Sequence, residues 1–135
     1  MSFDVVIAEL QQIYGHSPVA QSFRSDRIID ADIQKWSDLL CISRAEFYDR
    51  LAIYLALNFQ SGTLTFEFCD TVVNEVHSVI TFADEHRPEL FWSVYLAFDE
   101  GEYYHNGNHD QDPIAVYTVP MINEIITAYR KQLGT

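Results

Sequence analysis

The sequence lacks most of the features that identify an enzyme or a membrane protein. It contains two cysteines, five glycines and four prolines in 135 residues. Nucleophile elbows, phosphate-binding glycine loops, Cys-x-x-Cys and His-Glu-x-x-His patterns are all missing, so no catalytic residue is indicated. No apolar run approaches the roughly 18 residues that a membrane helix needs. The first four residues lack the basic charge with which signal peptides begin, and we expect a cytoplasmic protein.

Positive charge is also scarce. Eight Lys and Arg residues stand against 20 Asp and Glu residues, which gives a net charge of −12 at pH 7. No Lys or Arg occurs between Arg87 and Arg130, whereas seven acids do. Such a field repels nucleic-acid backbones and anionic membranes. We therefore expect a basic protein partner or a cation, and neither nucleic acid nor a membrane.

The residues that are present suffice for one folded domain. Apolar residues make up 48% of the chain and aromatic residues 14%, and the chain is long enough to bury a core without disulfides. Cys41 and Cys69 both lie among apolar neighbours in the sequence. We expect two buried, unpaired and unreactive thiols.

Apolar residues recur at spacings of three and four, which predicts an all-α domain of five or six helices over residues 1–135. A first helix is predicted from a Ser2 cap to about Tyr14, with residues 15–18 as its stop. A second is predicted to begin with Asp30 or Asp32 as its cap. The loop between them is expected to be held by four apolar anchors: Val19, Phe23, Ile28 and Ile29.

The third helix carries the clearest signature. Ser43 and Glu46 form a capping box at its start, and Ser61-Gly62 provides its stop. The next segment, from about Leu64 to Ala83, alternates like a strand over its first residues. Its length and its continuing period of three and four predict a helix.

The run from Leu90 to Phe98 is the most apolar of the chain. A buried strand is the alternative here, but we predict a helix at the centre of the core, beginning at Arg87-Pro88-Glu89. The final helix is predicted to begin at Asp112-Pro113. Because Pro120 lies inside it, either the helix kinks there or residues 113–118 form a separate short helix. Its predicted buried face comprises Ile122, Ile125, Ile126, Tyr129 and Leu133.

Between these last two helices lies the stretch Asp99–Asp112, called the acidic segment below, which reads DEGEYYHNGNHDQD. Aromatic anchors amid charge are typical of protein-binding surfaces, because the rings supply desolvated area and the carboxylates attract a basic partner. The alternative is that both tyrosines pack under their own loop. The predicted partner-binding residues are Asp99, Glu100, Glu102, Tyr103, Tyr104, Asp110 and Asp112.

A metal site is the second hypothesis. Asn106, Asn108 and Asp110 match the start of a calcium loop, but Gln111 and Tyr117 replace the glycine and glutamate that an EF-hand requires. A looser site for a divalent metal such as zinc or manganese remains open. The loop alone could supply its ligands, and His77 and Asp70 would join them if the acidic segment folds back on the polar face of the fourth helix. Its candidate ligands are His105, His109, Glu102, His77 and Asp70, with Glu100 as a further carboxylate.

The run from Asp99 to Tyr104, with the nearby Asp110 and Asp112, resembles the acidic, tyrosine-bearing surfaces of immunity proteins from bacterial toxin–immunity pairs. The resemblance covers about a tenth of the chain. It implies a small helical protein without enzymatic activity that neutralises a basic toxin by blocking it. A third hypothesis is a helical oligomerisation or scaffold module, which an exposed apolar patch along Trp36, Tyr54 or Phe59 would favour.

Overall fold

A computed structural model of the protein describes residues 3–14 and 28–134. This part of the chain forms an all-α bundle, as predicted, and contains no strand. Short 3₁₀ and π-helical turns occupy His105–Gly107 and Ile114–Thr118. The α-helices of the described residues are α1 (Asp4–Tyr14), α2 (Asp30–Leu40), α3 (Arg44–Gln60), α4 (Phe66–Phe82), α5 (Glu89–Asp99) and α6 (Val119–Leu133).

Local capping explains where α3 and α4 begin. The hydroxyl of Ser43 accepts a hydrogen bond from the amide of Glu46 at 3.1 Å. Thr65 does the same for Phe68 at 3.1 Å, so the strand-like opening of the fourth segment is the cap and first turn of a helix. The helix that the sequence predicts over residues 64–83 is therefore confirmed, with a start two residues later.

The start of α2 differs from the prediction. Neither Asp30 nor Asp32 is its N-cap residue, because the cap position belongs to Ile29. Asp32 lies in the first turn, and its carboxylate accepts a hydrogen bond from the amide of Ile29 at 3.0 Å. The side chain of Ile29 is 53% exposed and is therefore no anchor, whereas Ile28 is buried as predicted. The predicted Ser2 cap, the stop at residues 15–18, Val19 and Phe23 lie outside the described residues.

Helix α5 lies at the centre of the bundle and packs against α3, α4 and α6. Its buried residues, Phe91, Val94, Ala97 and Phe98, confirm a core helix in place of the alternative strand. Pro88 stands at the N-cap position, one residue before the first helical position where it was expected. The helix start is capped from another helix: the carboxylate of Asp49 on α3 accepts a hydrogen bond from the amide of Phe91 at 2.9 Å.

The two cysteines differ in their surroundings. Cys69 is free and fully buried, and burial raises the pKa of its thiol to about 12, so it is unreactive as predicted. Cys41 is free but exposed, which corrects the prediction of a second buried thiol. It follows the last turn of α2 in a left-handed conformation (φ 59°) that turns the chain outward towards the start of α3.

The C-terminal segment contains two helical pieces joined end to end. The turn at Ile114–Thr118 is π-helical and runs into α6 without a break, so residues 113–118 form a distinct turn but not the separate short helix of the alternative. Pro120 is the second residue of α6 and directly follows the π-helical turn. Ile122 and Ile126 are buried, but Leu133 is 69% exposed and does not belong to the buried face.

No helix in the described part of the chain is long and apolar enough to cross a membrane. The apolar patch that would favour an oligomerisation module is also not found at the predicted residues. Trp36 is fully buried, and Phe59 packs its ring against Phe66 and Phe98. Tyr54 packs against the core, and its hydroxyl donates a hydrogen bond to Asp4 at 2.9 Å.

Candidate protein-binding surface

The acidic segment is anchored to the core where it leaves α5. Gly101 is buried, and a Cβ added there would overlap the Thr118 hydroxyl and lie 2.9 Å from the ring of Phe66. Thr118 is itself fully buried and donates a hydrogen bond to the carbonyl of Ala97 at 2.8 Å. Only glycine fits at this position, because the π-helical turn passes directly against the chain.

Stacked rings hold the middle of the segment. The imidazole of His105 lies between two tyrosines, with its centroid 4.5 Å from that of Tyr103 and 3.7 Å from that of Tyr117. Its Nε2 is 2.8 Å from the carbonyl oxygen of Glu100 and 3.1 Å from the Glu100 carboxylate. The π-helical turn thus has a local role, since it presents Tyr117 to the segment.

Tyr103 and Tyr104 combine the two arrangements that the sequence left open, since they pack on their own loop and are also exposed as anchors would be. Tyr103 stacks on His105, and Tyr104 lies 4.2 Å from the ring of His109, so both rings contact their own loop. Both side chains are nevertheless 49% exposed. Each tyrosine therefore has one supported side and one side open to a partner, which limits the conformational entropy lost on binding.

The acidic segment contacts α4, which is the arrangement that a joint metal site with His77 and Asp70 would need. The side-chain nitrogen of Asn74 donates to the carboxylate of Glu102 at 2.9 Å and to that of Asp70 at 3.2 Å. Asp99, at the end of α5, interacts electrostatically with both acids. Its charge raises the pKa of Asp70, and the charge of Glu102 raises the pKa of Asp99. We call Asp70, Asp99 and Glu102 the carboxylate cluster.

The carboxylate cluster is electrostatically unfavourable in the free protein. Burial, the hydrogen bond to Glu102 and the charges of Glu102 and Asp99 raise the pKa of Asp70 well above its usual range. Burial and the charges of Glu102 and Glu100 raise the pKa of Asp99 as well. Within residues 3–14 and 28–134, no Lys or Arg forms an ion pair with any acid of the cluster or of the acidic segment.

The cations of the described chain that have partners bind elsewhere. Lys35 pairs with Glu9 at 2.9 Å, and Arg50 pairs with Glu46 at 2.7 Å. Arg44 pairs with Asp30 and Glu85. The Arg87 guanidinium lies 4.0 Å from the ring centre of Trp92. Among the described residues, no Lys or Arg thus compensates the negative charge of the acidic segment.

The predicted metal ligands are brought together only in part. Asp70 and Glu102 meet, but His77 stacks on Tyr95 at 4.4 Å, and His105 stacks between its two tyrosines. The Nε2 atom of His77 is shielded from solvent and has no hydrogen-bond partner among the described residues. Burial and the charge of Arg87 lower the pKa of His77. Among the residues that the structure describes, no group of three or more His, Cys, Asp or Glu side chains is placed to hold a metal ion.

Sequence reasoning missed the aromatic row beside the cluster. Trp92 and Tyr95 stack nearly parallel at 5.1 Å on the outer side of α5, and Tyr95 continues onto His77 of α4. Their spacing of three on a helix was a usable signal, but the apolar character of α5 pointed to burial alone. The contact between Asn74 on α4 and Glu102 is likewise visible only in the fold.

A groove of about 740 Å³ lies beside this row, between the C-terminal half of α4 and residues 28–30. His77 lines it, together with mostly apolar side chains such as Val79 and Phe82, and Phe82 is 97% exposed. This groove could not be predicted from the sequence, because it depends on how α4 meets the chain at Ile28.

No protein-family model, no curated protein and no solved structure matches this chain. The likeness of the acidic segment to immunity proteins therefore rests on its residues alone.

Proposed function

We propose that this protein is a non-enzymatic binding protein that captures a basic protein partner through the acidic segment. In the specific form that the resemblance suggests, the partner is a bacterial toxin that the protein neutralises. The observation that carries the proposal is the lack of any Lys or Arg paired with the acids of this surface in the described chain. A partner's cations would supply the missing charge.

The arrangement of the surface supports a division of roles. Glu102, Asp110 and Asp112 are exposed, and Asp99 and Glu100 are half-buried at the root of the segment. Their field would attract a basic partner and raise its association rate. Tyr103 and Tyr104 would then be the anchors, since each has a free face and a supported one.

Affinity capture from a lysate of the source organism, washed at low and high salt, tests this proposal. We expect one stoichiometric basic protein that elutes as salt rises, because screening weakens attraction between exposed charges. A captured protein qualifies only if neutralising the acidic segment reduces its binding. The test variant is Glu102→Gln/Asp110→Asn/Asp112→Asn, for which we expect affinity to fall about tenfold or more, mainly through the association rate.

A matched control carries the same change in charge elsewhere on the molecule. The variant Asp38→Asn/Asp84→Asn/Glu124→Gln also removes three exposed carboxylates, from α2, the end of α4 and α6. We expect it to bind within about twofold of the original protein, since more distant charges are screened. Equal losses in the two variants would point to net charge alone and contradict a local binding surface.

The aromatic anchors have a separate test. The double variant Tyr103→Ala/Tyr104→Ala should dissociate faster from the captured partner, by about tenfold or more, with little change in association rate. Unchanged dissociation would remove the tyrosines from the interface and leave the carboxylates as its only determinants.

A further inference from the structure

A short turn in the middle of the acidic segment carries a chemically sensitive pair of residues. Asn106 and Gly107 lie next to each other in the 3₁₀ turn His105–Gly107, and both are exposed. Asn106 has a left-handed backbone (φ 55°, ψ 26°), which asparagine tolerates better than most residues. Gly107 also has a positive φ, of 70°. Solvent therefore reaches both residues of the pair.

An asparagine can react with the peptide nitrogen of the residue that follows it. The nitrogen attacks the side-chain carbon Cγ, and a C–N bond forms. The side-chain nitrogen leaves as ammonia and takes the proton of the attacking nitrogen with it, so the product is a five-membered succinimide ring. Water then adds to one of the two ring carbonyls and opens the ring to aspartate or to isoaspartate, in which the main chain runs through Cγ.

The residue after the asparagine determines how easily this ring closes. A side chain there crowds the attacking nitrogen and restricts the backbone, whereas glycine does neither. Among the five asparagines of the chain, Asn106 alone precedes glycine, and the others precede Phe, Glu or His. The surroundings are open as well, because a Cβ added at Gly107 would meet no atom of the described residues within 4 Å.

The turn has to open before the ring can close. At a ψ of 26°, the Gly107 nitrogen lies on the far side of the Cα–C bond from the Cβ of Asn106, so the chain must rotate about that bond. A hydrogen bond of 3.0 Å from the amide of Asn108 to the carbonyl of His105 spans the turn and opposes the rotation. The freedom of glycine at position 107 favours it. The rate of ring closure would thus depend on how often the turn opens.

We infer that Asn106 is a site of spontaneous covalent modification, at which ring closure with Gly107 converts the neutral asparagine into aspartate and isoaspartate. The reaction adds one carboxylate to a chain whose net charge is already −12. Isoaspartate also lengthens the main chain by one atom between Tyr104 and His109, whose ring centres are 4.2 Å apart. The modification therefore changes both the charge of the acidic segment and the path of its backbone.

One consequence of this modification rests on the proposed function. Asn106 lies between Tyr104 and Asp110, which are both predicted partner-binding residues. Aspartate at this position would add to the field that attracts a basic partner. Isoaspartate would instead displace the loop that supports the ring of Tyr104. The binding surface would thus change as the protein ages.

Peptide mapping by mass spectrometry tests the modification in the free, full-length protein. The protein is incubated at neutral and at mildly alkaline pH in water enriched in oxygen-18, which distinguishes conversion during incubation from conversion during the later digestion. We expect Asn106 to be converted several times faster than Asn108 or Asn123, which are also exposed. Conversion should accelerate as pH rises, because the attacking nitrogen must lose its proton, and chromatography should separate isoaspartate from aspartate in the product.

Two glycine variants form a matched pair for this test. Gly107→Ala places a methyl group beside the attacking nitrogen without a clash with the described residues, so conversion of Asn106 should slow severalfold. Gly62→Ala is the control, because Gly62 also has a positive φ, of 82°, and also has no described atom within 4 Å of an added Cβ. We expect it to leave the conversion of Asn106 unchanged.

The inference is overturned if Asn106 remains an amide throughout the incubation, or if it is converted no faster than Asn108 in the original protein. It is also overturned if aspartate is the sole product, since direct hydrolysis by water gives no isoaspartate, or if Gly107→Ala reacts as fast as Gly62→Ala. These measurements involve no partner, so their failure would leave the capture of a basic protein untouched. Failure of the capture experiment would likewise leave the modification standing.

Discussion

Two polar regions of this bundle use the same kinds of groups with opposite results. In the first, Arg44 on α3 donates to Asp30, Glu85 and Tyr48, and we call these four residues the arginine network. In the second, the carboxylate cluster brings Asp70, Asp99 and Glu102 together without a Lys or Arg among the described residues. The first region holds its counter-charge internally, whereas the second has none within the described part of the chain.

The ionisation of the two regions differs accordingly. The guanidinium of Arg44 lowers the pKa of Asp30, and the network raises the pKa of Arg44 itself. In the cluster, burial and neighbouring carboxylates raise the pKa values of Asp70 and Asp99. Acidic groups on this protein are thus stabilising where the fold supplies a cation. Where the fold supplies no cation, the acidic groups can be neutralised by a proton or by the cations of a partner.

Removing the cation from the arginine network should have the largest effect on stability. In Arg44→Met, Glu85 and the buried Tyr48 lose their shared donor, which would make this region resemble the carboxylate cluster. We expect a loss of about 3 kcal/mol in the free energy of unfolding, measured in urea. The control is Arg50→Met on the same helix, whose exposed pair with Glu46 should be worth no more than about 0.5 kcal/mol. Similar losses in both variants would mean that the network adds nothing beyond a surface ion pair.

A smaller loss of stability is expected from Gly101→Ala. This variant tests whether packing, and not charge, holds the acidic segment against the bundle. The added methyl group would overlap Thr118 and Phe66, so we expect a loss of about 2 kcal/mol in the free energy of unfolding. Gly134→Ala is the control, because a Cβ there meets only ordinary contacts at 3.5 Å and beyond. If Gly101→Ala were as stable as the original protein, the root of the segment would not be rigidly packed.

The sequence predicted those parts of the fold that depend on local chemistry. The Ser43 cap, the stop after Gln60 and the helix at Leu90–Phe98 follow from hydrogen bonds and burial within one segment. Features that depend on distant residues were missed. The cap of α5 comes from Asp49 on α3, and the exposure of Cys41 and Leu133 depends on where α2 and α6 end against the bundle.

The same distinction between local and distant determinants applies to the candidate surface. The acidic segment and its two tyrosines were recognisable from composition, because a run of acids without a base is visible in the sequence. The contact of the acidic segment with α4 through Asn74 could not be predicted. Periodicity indicates which residues share a face of a helix, but it does not indicate which loop covers that face. The separation of His77 from His105 likewise follows from aromatic stacking in the fold, to which the spacing of histidines gives no guide.

The smallest expected effect is on the pH dependence of stability, which should differ between the two regions. Asp70 has a raised pKa in the folded protein, so between its ordinary value and that raised value only the unfolded chain gives up the proton. Its contribution to stability is complete below about pH 4 and is lost as pH rises. Asp70→Asn should therefore be more stable than the original protein at pH 8, by about 1 kcal/mol because Asp70 is only half-buried, and equally stable at pH 4.

Asp30 should behave in the opposite way. Its lowered pKa means that its contribution is present above its ordinary value and disappears as pH falls through the folded value. Asp30→Asn should then be less stable than the original protein at pH 7, and the difference should vanish towards pH 2. Thermal unfolding of the three proteins between pH 2 and pH 8.5 measures both effects. If both variants shifted stability in the same direction at neutral pH, the two regions would not differ in how their charge is compensated, and the carboxylate cluster would have no need of a proton or a basic partner.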